Sequence, residues 1–139
     1  MITFKELVKN TPINDIPLTH QHNLEELLLR INKFRLVYGK PMSVTSGYRT
    51  MQDHIRIYSK INAERVKNNL PEIKVPTKSS HLTGCAVDIY SPTSELMDFC
   101  KSNIELLEQI GLWIEDDISQ PRVHFQINPP LSGNRFFKP

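Results

Sequence analysis

Three residues of this chain have types and spacing suited to metal chemistry. His81 and Asp88 lie in Ser79-Ser80-His81-Leu82-Thr83-Gly84-Cys85-Ala86-Val87-Asp88-Ile89, and His124 lies in Arg122-Val123-His124-Phe125-Gln126. Two neutral imidazoles and one carboxylate form a set that binds zinc, and three protein ligands leave a fourth position open for water. That open position belongs to catalytic zinc sites, whereas structural sites are closed by four ligands. Zinc lowers the pKa of a bound water to about 7, making hydroxide available at neutral pH. The spacing alone is not diagnostic. His-x6-Asp is not a helical zinc motif, and most of the five histidines have surface or hydrogen-bonded core roles as their competing reading.

The flanking residues say how such a site could be held. Cys85 to Ile89 is a mostly apolar run of strand length with two β-branched members. Side chains alternate across a strand, so Val87 and Ile89 share a core face with Cys85 while Asp88 points the other way beside the small Ala86. Gly84 lets the backbone bend between His81 and that strand. Val123 and Phe125 alternate with Arg122, His124 and Gln126, which projects His124 from a second strand toward the same point.

With these residues in view, Ser79-x-His81-x-x-Gly84-x-Ala86-x-Asp88 resembles the S-x-H-x-x-G-x-A-x-D signature of the zinc D-Ala-D-Ala peptidase superfamily. Ser46-Gly47-Tyr48-Arg49 resembles the superfamily's upstream S-G-Y-R turn, and Val123-His124-Phe125 its last ligand strand. The superfamily takes in D-alanyl-D-alanine carboxypeptidases and dipeptidases, phage L-alanyl-D-glutamate endolysins and the Hedgehog domain. The resemblance runs from about Val44 to Gln126 and implies His81, Asp88 and His124 as ligands of one zinc ion per chain.

Substrate binding and proton transfer need further groups. Arg49 presents a planar fork that can grip a carboxylate bidentately, and the resemblance implies substrate contact there; a structural ion pair is the competing reading. Ser79 either hydrogen-bonds substrate or ligand or shapes its turn. Relatives place an acid three to six residues before the last histidine, often with a tryptophan two before it. Here Ile118 to Pro121 contain no acid and Arg122 stands two before. The nearest acids are Glu115, Asp116 and Asp117. Trp113-Ile114-Glu115 looks like the strand that ends in the superfamily's acid, so Glu115 ranks first as general base, Asp116 second and Asp117 third. A solvated acidic turn is the alternative, and hairpin register cannot be read from sequence.

The bulk properties are those of an ordinary globular chain: 139 residues, 39% hydrophobic and 23% charged. A net charge of +2 is too small to argue for nucleic acid. Ten prolines and five glycines favour a loop-rich α+β fold. Cys85 and Cys100 lie in no C-x-x-C pattern and are expected to be reduced. The N-terminus has neither basic leader nor apolar core, so synthesis in the cytoplasm without a signal peptide is expected, and no apolar run is long enough to span a membrane.

Periodicity predicts a short helix over Thr3–Lys9 and a long one over His20–Tyr38, with Leu24, Leu27, Leu28, Ile31 and Phe34 inward. Strand Pro41–Ser46 follows, then a helix from Met51 to Asn62 or beyond, with His54 on its surface. Asn69–Lys78 reads as a loop. A broken helical region from Pro92, placed in its first turn, runs to Ile110, and Leu112–Glu115 and Arg122–Ile127 form a hairpin. Pro129-Pro130 is expected to end the fold.

The expected whole is one zinc peptidase domain over 1–139, with its core at about 20–128, an N-terminal helix and connector over 1–18, and a tail over 129–139. The fold class is α+β: a small, mainly antiparallel sheet carrying the metal, with helices packed on one side. The expected function is hydrolysis of peptide bonds in peptidoglycan stem peptides by a monomeric, phage-type cell-wall endopeptidase. A D-Ala-D-Ala carboxypeptidase or dipeptidase, and a non-catalytic zinc-containing binding or virion domain, are the alternatives.

Overall fold

In the computed structural model, which describes residues 1–139, short-range signals place most element ends. Helix α1 (Phe4–Val8) opens on a capping box in which Thr3 Oγ1 accepts from Glu6 N and Glu6 Oε1 accepts from Thr3 N. Helix α2 (Leu18–Tyr38) begins directly after Pro17, two residues before the expected start, and stops at Gly39 in the left-handed region. Strand β1 is confined to Val44–Ser46. Helix α3 (Met51–Lys67) is capped by Thr50 and continues past Asn62.

Strand β2 (Ala86–Tyr90) is followed by α4 (Glu95–Ser102) and α5 (Ile104–Ile110), separated at Asn103. Pro92 lies outside the helix. Ser91 Oγ donates to Thr93 O and Thr93 Oγ1 accepts from Glu95 N, a local turn that delays the helical start. Strands β3 (Trp113–Glu115) and β4 (Arg122–Gln126) form the expected hairpin.

The chain does not end its fold at Pro129-Pro130. Phe136–Phe137 forms β5, which pairs parallel to β3 through Ile114↔Phe136 and Glu115↔Phe137. Ile114 N donates to Arg135 O at 2.9 Å and Asp116 N to Phe137 O at 2.7 Å, and the Arg135 guanidinium lies 4.4 Å from the Trp113 ring centroid. The C-terminal segment thus closes one edge of a five-stranded sheet of order β1-β2-β4-β3-β5, antiparallel except for this last pair.

One face of the sheet is the core. Val87 and Ile89 of β2, Val123 and Phe125 of β4 and Ile114 of β3 pack with Leu24, Leu27, Ile31 and Phe34 of α2, Leu96 and Cys100 of α4 and Leu107 of α5. The odd-numbered inward set on β2 and β4 follows the alternation read from the sequence. Helix α3 stands apart: none of its residues joins that cluster, and Ile55 and Ile61 remain exposed. Its one buried residue is His54, expected at the surface and instead wholly inaccessible. The 69–78 loop folds back along α3, tied by Ile73 N and Ile73 O to Asn62, by Arg65 Nε to Pro71 O, and by His54 Nε2 to Pro76 O at 2.6 Å.

Candidate metal centre

The opposite face carries the three metal-suited residues. Asp88 pairs directly with His124 in the β2–β4 register, and both point away from the core. His81 is presented by a single 3-10 turn, Ser80–Thr83, whose N-cap Ser79 Oγ accepts from His81 N at 3.3 Å. Gly84 closes that turn at φ +79, where a Cβ would stand 2.8 Å from His20 O and from Leu24 Cγ. The 79–88 spacing therefore needs glycine for both its backbone angle and its contact with α2.

A second turn locks the first. His81 Nδ1 donates to Gly47 O at 2.8 Å, and Arg49 N donates to His81 O at 3.1 Å. Gly47 itself lies against α1, where a Cβ would meet Leu7 O at 2.2 Å. Tyr48 N donates to Leu7 O, and Tyr48 Oη lies 3.0 Å from His20 Nδ1, which gives His20 its structural role. The Ser46-Gly47-Tyr48-Arg49 segment is thus the clamp between α1, α2 and the His81 turn.

With Nδ1 of His81 committed to Gly47, its Nε2 faces Asp88 Oδ1 at 3.3 Å. His124 Nδ1 faces the same oxygen at 2.8 Å. His124 Nε2 lies 2.9 Å from Gln126 Oε1, while Gln126 Nε2 donates to Asn128 O at 2.8 Å. That second bond orients the amide, so Gln126 presents an acceptor and holds the imidazole proton on Nε2. The lone pairs of His81 Nε2 and His124 Nδ1 then point with the Asp88 carboxylate into one space, all ligand atoms within 4.8 Å of one another. Acceptors converging without a donor between them repel unless a cation lies among them. This donor set fits a divalent metal with nitrogen and oxygen preference, and its outer partners, Gly47 O and Gln126 Oε1, are those that orient metal-binding imidazoles.

All three groups are nearly inaccessible to solvent. Burial opposes ionisation of Asp88, but the hydrogen bonds that His124 and His81 donate to it when no cation lies among the three outweigh burial and hold the carboxyl well below the usual carboxylate range. For His81 burial dominates and pulls its pKa down despite Asp88, keeping the ring neutral and available as a ligand.

The charged neighbours form a row across the sheet. Arg49 Nη2 is 3.8 Å from Asp88 Oδ2, and its Nε donates to Ser46 Oγ. Arg122 Nη1 is 3.6 Å from Asp88 Oδ1, and its Nη2 is 3.9 Å from Glu115 Oε1. The β3–β4 register Trp113↔Gln126, Ile114↔Phe125, continued by one pair, sets Glu115 opposite His124 on the metal-suited face. The two aspartates are engaged elsewhere. Asp116 pairs with Lys101 at 3.1 Å and Lys138 at 3.6 Å, the former chiefly lowering its pKa. Asp117 Oδ1 accepts from Ser119 N and Oγ, which depress its carboxyl likewise.

Gln126 and Phe137 were not given roles by the sequence. Alternation puts Gln126 on the metal-suited face, but the partner that orients its amide is a backbone carbonyl that no motif names. Phe137, from β5, lies edge-on to His124 with ring centroids 6.2 Å apart, and nothing local in the tail foretells that approach.

No helix of the chain is long and apolar enough to cross a membrane. Comparisons with curated proteins and with solved structures gave no match. A comparison with protein families gave one, VanY, described as D-alanyl-D-alanine carboxypeptidase, over residues 19–126. That span begins at the start of α2, contains both clamped turns, and ends at the residue that orients His124. The chain belongs to the VanY family of D-alanyl-D-alanine carboxypeptidases, peptidases of peptidoglycan peptides.

Proposed function

We propose that the chain is, over its whole length, a single zinc peptidase domain that cleaves peptidoglycan stem peptides, holding one zinc ion through His81 Nε2, Asp88 and His124 Nδ1. The observation that carries this reading is the convergence of those three ligand atoms within 4.8 Å of one another, with the far nitrogen of each imidazole held by Gly47 O or Gln126 Oε1. Zinc bound there supplies Lewis acidity and an acidified water.

The chain's own residues do the rest. Arg49, anchored through Nε to Ser46, keeps its terminal nitrogens for a substrate carboxylate and so sets the scissile carbonyl against the centre. Glu115, half-buried on the same face, accepts the proton of the attacking water and returns it to the leaving amine. Phe137 walls this end of the site and limits water around Glu115. Ser79 acts through the His81 turn that it caps.

We read the cut as internal to the stem peptide, as in phage-type lytic endopeptidases. The position of Arg49 and Arg122 on opposite sides of Asp88, two groups able to hold carboxylates with the centre between them, supports a peptide that extends both ways from the centre. The family match favours a second reading, removal of a terminal D-Ala. Incubating the zinc-loaded protein with purified peptidoglycan and analysing the fragments by mass spectrometry separates them. New amino termini within the stem support the endopeptidase, and released D-Ala supports the carboxypeptidase. Zinc binding without any product would refute both and leave a binding domain.

A further inference from the structure

Arg122 is the charged group of the site to which the proposed hydrolysis assigns no task. It projects from β4, the strand on one side of β2, whereas Arg49 follows β1 on the other side. The two guanidiniums approach different oxygens of the same carboxylate, Arg49 at Asp88 Oδ2 and Arg122 at Asp88 Oδ1. At 3.6 Å from Asp88 and 3.9 Å from Glu115, Arg122 is beyond hydrogen-bond reach of both. Its side chain is 30% exposed, so it is partly open to solvent while its guanidinium stays close to the centre.

Each arginine belongs to the wall of its own groove. In the groove beside Arg122 that residue is the one cation, among the hydroxyl and amide groups of Ser91, Thr93, Ser94 and Gln120. The one acid there, Asp117, has its Oδ1 occupied by Ser119. Asp88, Glu115, Arg49 and Arg122 sum to zero formal charge, so a divalent cation would leave the site with an excess that two carboxylates balance.

We propose that Arg122 is a specificity-determining residue that binds a second substrate carboxylate, so that the preferred substrate is a stem peptide with free carboxylates on both sides of the scissile bond. Arg49 takes the carboxylate on the leaving-amine side, and Arg122 takes the one carried by the residue on the acyl side. This rests on the peptidase reading above. It selects, among stem-peptide bonds, those that follow a residue with a free carboxylate.

The test uses two synthetic stem peptides that differ only in whether the acyl-side carboxylate is free or amidated. Binding of each to the zinc-loaded parent and to Arg122→Gln is measured by calorimetry, alongside cleavage. A charge-assisted contact of this kind corresponds to about a tenfold to hundredfold preference for the free acid in Kd. We expect that preference in the parent and its loss in Arg122→Gln, with zinc content and Tm unchanged. Arg122→Lys should keep a reduced preference, since it retains charge without the fork, and it serves if the Gln variant folds poorly. Equal binding of both peptides by the parent, binding of neither, or a preference that survives Arg122→Gln overturns the inference. Cleavage of both peptides with equal KM would sink it while leaving the peptidase reading intact. Selective binding of the free acid without cleavage would uphold the carboxylate site and refute the peptidase.

Discussion

Gln126→Leu isolates the orientation of His124 from its identity. In the parent, Gln126 is 5% exposed and its Oε1 lies 2.9 Å from His124 Nε2. Leucine of similar length removes that acceptor and leaves a buried N–H without a partner, at a cost of about 1–3 kcal/mol. The other end of the amide matters less, because Asn128 is exposed and its carbonyl can take a water instead. Nothing then favours the tautomer that leaves Nδ1 free for the metal. Zinc affinity should fall about 10- to 100-fold, the usual effect of removing such an outer partner. Gln126→Glu restores an acceptor and should restore affinity, which separates the lost acceptor from altered packing. Competition against a chromogenic chelator reads the affinity, and long-range proton–nitrogen correlation spectra of His124 read the tautomer. Unchanged affinity in Gln126→Leu, with the proton still on Nε2, would refute the assignment of this bond.

Glu115→Gln should keep zinc and fold while lowering turnover by about 10²–10⁴-fold; Asp116→Asn and Asp117→Asn should stay close to parental rates, since their carboxylates are held by lysines and by Ser119, and steady-state kinetics of the three variants checks the contrast. Gly47→Ala should cost about 1–3 kcal/mol through overpacking, because the new Cβ falls 2.2 Å from Leu7 O; a calorimetric Tm equal to the parent's would contradict this packing. His54 supplies a pH dependence. Burial lowers its pKa in the fold, and its Nδ1 has no partner for a second proton. Between that lowered value and about 6.5 the unfolded chain binds more protons, so stability is full above about 6.5 and declines as pH falls toward the folded pKa. His54→Gln should flatten that decline in denaturant titrations run across this range.

Much of the frame depended on short-range chemistry alone. The capping box at Thr3, the stop at Gly39, the Thr50 cap and the break at Asn103 all act within one helical turn. Alternation on β2 and β4 determined which side chains face the core, since a strand offers only two faces. It therefore set Asp88, His124, Arg122 and Gln126 on the other face together, and Gly84 let His81 reach it. Distances between strands are not local, and there the tertiary structure decided. Hairpin register, set by a turn whose length sequence does not constrain, brought Glu115 rather than Asp116 or Asp117 to the His124 side. The return of the 69–78 loop buried His54, and the parallel pairing of β5 turned the C-terminal segment into an edge of the sheet and a wall beside His124. The partners that orient the two imidazoles, Gly47 O and Gln126 Oε1, depend on the same long-range closure. A carbonyl looks alike at every position of a sequence, and only the folded chain determines which one a ring nitrogen meets.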